Sequence, residues 1–146
     1  MDEYVALGTR VSGGLLAGLY LAFAVAVMPA LHGLGDDGFV DTMKRINVSI
    51  VNPAFLLVFL AAPVLAVAAA VLARSPWAYT AATLGVITLV ITLVITLVVN
   101  VPLNDKLAAG GSRADFETLW VLFNALRTLT GIGSFVCLLL SRSTVR

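Results

Sequence analysis

The sequence predicts an all-α integral membrane protein: an antiparallel four-helix bundle with a surface helix, or a helix extension, before the second span. Three observations carry this. Of 146 residues, 60% are hydrophobic and 12% charged, whereas an average soluble domain carries about 25% charged residues. Four apolar runs, at about 11–31, 53–73, 77–99 and 116–140, each reach the ~20 residues that cross a hydrocarbon core. The connections between them are short, which favours antiparallel neighbours. The expectation is a single transmembrane domain over residues 1–146, with no room for a separate soluble domain.

In the first span Gly14, Gly18, Ala22 and Ala26 recur every four residues, a strip on which another helix could pack closely. The leader before it is acidic (Asp2, Glu3) and the run is longer than a secretory signal core, so it reads as a retained span. Residues 32–38 form a turn. The mixed stretch from Asp37 to Val51 is expected to lie helical at the membrane surface or to fuse with span two. Asn52-Pro53 suits a helix cap followed by proline in the first turn, or a kink within one longer helix. Trp77 and Tyr79 suit interfacial anchoring of span three. Thr88, Thr92 and Thr96 step by four towards Asn100 and Asn104, and threonine hydroxyls at such spacing ordinarily bond their own backbone. Pro102 is expected to end that span, and residues 105–113 to form a loop before span four. Arg142 and Arg146 are expected in solvent.

Threading four spans up and down brings the end of span one, the start of two, the end of three and the start of four to one side. His32, Asn47, Asn52, Asn100, Asn104, Trp120, Asn124 and Arg127 all fall there, which predicts a polar pocket at that end. Trp120, Asn124 and Arg127, at offsets of four and three, share one helix face. Arg127 lies about 16 Å along the helix from Phe116 at 1.5 Å per residue, where a charge costs roughly 2.5–3.5 kcal/mol on insertion scales. Spans two and three contain no carboxylate. Compensation must come from a loop acid (Asp36, Asp37, Asp41 or Asp105), from amides and water, or from an anionic ligand oxygen.

The formal charge of +1, without a basic stripe, excludes nucleic acid as a partner. One histidine is too few for bis-histidine haem or a histidine-rich metal site, and no metal is expected. Cys137, alone in an apolar run, reads as a small hydrophobe. No phosphate loop, nucleophile elbow or CxxC occurs. Arg10, Arg74, Arg142 and Arg146 on one side balance Lys44, Arg45, Lys106 and Arg113 on the other. The positive-inside rule is therefore silent, and the greater number of acids on the second side gives only a lean to both termini in the cytoplasm.

GLYLAFAVAVMPAL in span one, MKRINVSIVNPAFLLVF into span two, NVPLND after span three and WVLFNALR in span four together resemble the DUF1772, or anthrone oxygenase-like, family. The resemblance covers nearly the whole chain. It implies a small four-helix membrane protein, and fungal relatives of this kind oxidise anthrones to anthraquinones with molecular oxygen and no recognised cofactor; the expected location is a bacterial plasma membrane. The family's polar positions fall on Asn47, Asn52, Asn100, Asn104, Trp120, Asn124 and Arg127. Two functions emerge as expectations. The first is a cofactor-free oxygenase or related oxidoreductase for an anthrone-, phenol- or quinone-like molecule, with Arg127 and Asn124 holding an oxyanion, Trp120 on the ring, the asparagines binding substrate, and His32 or a loop aspartate as base. The alternative is a non-catalytic protein that binds a lipid or quinone, or an accessory subunit packed on a membrane-protein partner or on its own copies.

Overall fold

The computed structural model describes residues 3–141, so Arg142 and Arg146 lie outside the described residues. Within them the chain is helical, without strands, and four helices are long and apolar enough to cross a membrane: α1 (Glu3–His32), α3 (Pro53–Val71), α4 (Pro76–Ala108) and α5 (Arg113–Leu140). A fifth, α2 (Asp36–Ile50), is amphipathic. The bundle is the expected all-α one, with α1 beside α3 and α5, and α4 beside α3 and α5.

The helix starts obey local chemistry. The Asn52 side chain accepts from Phe55 N (3.1 Å) ahead of Pro53, and Ser75 accepts from Ala78 N (3.2 Å) ahead of Pro76. Each oxygen satisfies an otherwise orphaned N–H, and each proline occupies the one position where it has no N–H to lose. The backbone breaks at Val51 (φ −81°, ψ 64°), so α2 and α3 are separate helices rather than one kinked rod. Asp36 and Asp37 open α2 at the positive end of its dipole. Gly110, at φ +101°, makes the reversal into α5 in a region that only glycine enters cheaply.

Small residues make the seams. Ala62, Ala66 and Ala69 of α3 and Ala78 and Ala82 of α4 are almost fully covered, while Leu57, Leu60 and Val64 point outwards. In lipid, large apolar side chains gain nothing by turning inwards, so close backbone approach decides the contacts. A Cβ on Gly85 would stand 2.8 Å from Leu138 Cγ, and Ser134 Oγ donates to the Gly85 carbonyl at 2.8 Å. The predicted strip on α1 is not its packing face. Only Gly14 meets a neighbour, Phe135, whereas Gly18 has nothing within 4 Å and Ala22 and Ala26 are exposed. The face that packs is Thr9, Ser12, Gly13, Leu16, Ala17 and Tyr20, where the helix meets the small residues of α5.

Two turns depart from α-geometry. Phe23–Val27 in α1 and Thr96–Asn100 in α4 are π-turns, closed by Met28 N bonding Phe23 O and Val101 N bonding Thr96 O. Each is followed, two residues after its end, by a proline, Pro29 or Pro102. A proline ring collides with the carbonyl four residues back and supplies no N–H. Widening the preceding turn by one residue relieves both problems, so α4 runs through Pro102 to Ala108 instead of ending there. The expected loop of residues 105–113 shrinks accordingly.

Candidate active site

The two widened turns stand at the same end of the bundle, on α1 and α4, and turn Phe23, Thr96 and Asn100 inwards. π-turns often accompany functional sites because the extra residue changes which side chains face the interior. Between them α2 packs across the ends of α1, α4 and α5. Phe39 and Met43, both 0% exposed, sink into a cluster with Leu31, Leu107, Phe116 and Trp120. That anchorage holds Asn47 over the bundle's end. Below it is a cavity of about 170 Å³ whose polar wall is Tyr20, Asn47, Thr96, Asn100, Asn104, Trp120 and Arg127. The remainder of the wall is apolar, and it includes Phe55 and Phe59.

Arg127 is 7% exposed and, among the described residues, pairs with no carboxylate. Its guanidinium stands over two rings, 4.7 Å from the centre of Tyr20 and 5.0 Å from that of Trp120, and its Nε donates to Asn124 Oδ1 at 3.0 Å. Desolvated cation–π contacts of this kind are worth about 2 kcal/mol or more, comparable with the insertion cost. Asn124 Nδ2 in turn donates to the Tyr20 carbonyl (3.3 Å), so α1 and α5 are tied through the same pair of side chains. The loop acids expected as tethers are elsewhere. Among the described residues the ion pairs are those of Arg113 with Asp36 and Glu117, and of His32 with Glu117. Arg127 therefore keeps its terminal N–H donors for the cavity.

Trp120 packs at 5.5 Å from Phe23 and 6.0 Å from Phe116. Its Nε1 donates to Asn104 Oδ1 at 2.8 Å, and its carbonyl accepts from Asn100 Nδ2 at 3.3 Å. The Trp120 face expected to meet a ligand is thus given to Arg127. Three buried polar atoms around the cavity make no hydrogen bond: Tyr20 Oη, Asn47 Nδ2 and Asn100 Oδ1. Tyr20 Oη faces Thr96 without reaching hydrogen-bond geometry, and the Thr96 hydroxyl donates instead to the Thr92 carbonyl (2.8 Å). Buried, unpartnered polar atoms cost roughly 1–3 kcal/mol each. All three belong to residues that line this one cavity.

Of the residues singled out from sequence, Asn47, Asn100, Asn104, Trp120 and Arg127 converge on this cavity, with Asn124 directly behind Arg127. His32 and Asn52 do not. The His32 side chain is 75% exposed and binds Glu117 (Nδ1 to Oε1, 2.7 Å). It ends α1 on the outer face, where Arg113 gathers the His32 and Leu34 carbonyls at 3.0 and 2.7 Å. Asn52 is exposed and spends its side chain on the cap of α3 and the Ser49 carbonyl. Thr88 and Thr92 bond their own helix backbone, as such spacing suggests. Sequence reasoning missed Tyr20 and Thr96. One signal for Tyr20 existed: it is the sole titratable side chain between Arg10 and His32.

A family model described as anthrone oxygenase matches residues 42–137. The match begins inside α2 and takes in each polar residue of the cavity except Tyr20. No curated protein and no solved structure matches the chain.

Proposed function

The chain belongs to the anthrone oxygenase family, and on that premise we propose that it is a membrane-embedded oxygenase whose cavity takes a flat, phenolic or quinone-like molecule. The observation that carries this reading is Arg127: a buried cation with no carboxylate partner among the described residues, set against the Tyr20 and Trp120 rings and lining a cavity together with residues that carry unpartnered polar atoms. Such a cation suits an oxygen on which negative charge accumulates. At about 170 Å³, against ~150 Å³ for an apolar cavity that admits benzene, the space seats one ring of a fused aromatic. The rest of a larger molecule extends through the mouth.

The chemistry requires little machinery. An activated CH₂ group loses a proton, and the charge spreads onto the ring oxygen beside Arg127. The carbanion electrons then form a C–O bond to O₂, and protonation gives a hydroperoxide. Loss of water leaves a carbonyl, so one CH₂ and one O₂ become one C=O and one H₂O. Arg127 favours the anion, which lets the first proton leave to water at the polar end of the cavity. Histidine at position 32 is not needed on this route. Stabilising the developing oxyanion accelerates such a step by about 10²–10³-fold per well-placed donor.

The test is oxygen uptake by the full chain in lipid nanodiscs with 1,8-dihydroxyanthrone as probe, against empty nanodiscs. Wild type is expected to consume one O₂ per quinone formed, well above background. Arg127→Met is expected to fold with a near-normal Tm and to fall to background. Equal uptake by wild type and empty nanodiscs would sink the reading in favour of a binding protein without turnover.

A further inference from the structure

We propose that Tyr20 is a substrate-contacting residue of this site, donating its hydroxyl proton in a hydrogen bond to the same ligand oxygen that Arg127 attracts; the inference rests on the oxygenase reading above. Of the residues lining the cavity, only Tyr20 and Arg127 carry titratable side chains, and a guanidinium does not give up its proton. Tyr20 is 4% exposed, and its Oη is buried with no hydrogen-bond partner. A buried phenol ordinarily finds an acceptor.

The ring is covered on more than one side. Its face carries the Arg127 guanidinium at 4.7 Å. A Cβ at Gly131 would stand in ordinary contact with Tyr20 Cδ2, at 3.4 Å, so the ring edge lies alongside α5, and Asn124 Nδ2 donates to the Tyr20 backbone carbonyl. Thr96, beside the hydroxyl, donates its own proton to the Thr92 carbonyl, and its oxygen, the nearest internal acceptor, does not reach hydrogen-bond geometry with Tyr20 Oη. The hydroxyl of this cavity-lining residue therefore keeps one proton without an acceptor. A negatively charged ligand oxygen satisfies it, and charge-assisted bonds of this type are the strong ones.

Asn47 Nδ2, donated from α2, is a further free donor on the same cavity, and Asn100 Oδ1 is a free acceptor. The set fits a ligand with an anionic oxygen and, nearby, a hydroxyl that still carries its proton: a hydroxyaryl ketone held as its monoanion. Tyr20 lies outside the matched residues 42–137, so the family match says nothing for or against its role.

The test uses 1,8-dihydroxyanthraquinone, whose visible absorption moves to the red on ionisation, bound to the full chain in detergent micelles. On wild type the probe is expected to ionise at least one pH unit lower than in empty micelles. Tyr20→Phe keeps the ring, its packing and the Arg127 contact but removes the hydroxyl. It is expected to bind the probe, to lose at least tenfold in the ionisation constant of the bound probe, and to drop kcat for oxygen uptake by about 10²-fold with little change in KM. Unchanged ionisation and kcat in Tyr20→Phe would overturn the assignment of Tyr20 alone. Ionisation on wild type at the empty-micelle pH overturns the site reading beneath it as well. A measurement that needs no variant is affinity for the 1,8-dimethoxy analogue, which cannot become an anion. At least tenfold weaker binding supports the proposal, and equal binding defeats it.

Discussion

Arg127 resolves the cost of a charge at depth with two aromatic faces and one amide rather than with an acid. This determines how its variants should behave. Removing one member of a buried ion pair strands the other at about 3–5 kcal/mol, but Arg127 has no such partner to strand. Arg127→Met should therefore stay within a few degrees of wild-type Tm. Arg127→Lys keeps a charge but loses the planar group that stands over the rings, and its strongly hydrated ammonium should lower Tm below that of the Met variant. Differential scanning fluorimetry in detergent checks that order; a Lys variant as stable as wild type would show that planarity is not what holds the charge. His32 belongs to a different chemistry. Its contact with Glu117 is largely exposed, and exposed pairs are worth about 0–1 kcal/mol. His32→Gln is expected to leave oxygen uptake within twofold of wild type, and a loss of tenfold or more would return His32 to the mechanism.

The site depends on the two widened turns of α1 and α4. Without the proline, a π-turn has no steric reason to persist, since each regular turn makes better-aligned bonds. Pro102→Ala is thus expected to let residues 96–100 relax towards an α-helix, with Tm unchanged or raised. Such a relaxation rotates the C-terminal part of α4 by about 100° relative to its N-terminal part, which moves Asn104 against Asn100 and Thr96 and disturbs the bond from Trp120. Affinity for 1,8-dihydroxyanthraquinone should fall at least tenfold. Binding equal to wild type would mean that the turn survives without its proline.

Across the whole molecule, polar atoms line the inner wall of the cavity and apolar ones its rim. Val51, Leu56, Leu97 and Val101 belong to the cavity lining yet are 61%, 40%, 58% and 38% exposed. They lie on α4, on α3 and at the junction just before α3. The rim accordingly opens on the side that spanning helices present to lipid. On the proposed function, a ligand dissolved in the bilayer would enter there ring first and reach Arg127 without crossing water. Leu97→Trp places a bulky side chain at that rim, and its expected effect is a slower on-rate for the probe, about tenfold by stopped-flow fluorescence, with Tm preserved. An unchanged on-rate would point to entry past α2 instead.

The four spans, their antiparallel order and the cap at Asn52 were legible in the chain because each rests on local composition: runs of apolar residues, an oxygen-bearing side chain and a proline at set positions. Antiparallel threading alone also collected Asn47, Asn100, Asn104, Trp120 and Arg127 at one end, since position along a span is almost depth in the bundle. What each side chain faces was not legible. Phase around a helix changes by a full residue at each π-turn, so Pro29 and Pro102 altered the inner face in a way that a regular 3.6-residue count misses. Tyr20 acquires its place only when α1 meets the small face of α5 at Gly131, a contact made by shape rather than by any pattern in span one. His32 and Asn52 shared the right end of the bundle, but one pairs outwards with Glu117 and the other caps α3. Sequence determined depth; only tertiary packing decided direction, because in lipid no difference in hydrophobicity tells a helix which apolar face to turn inwards.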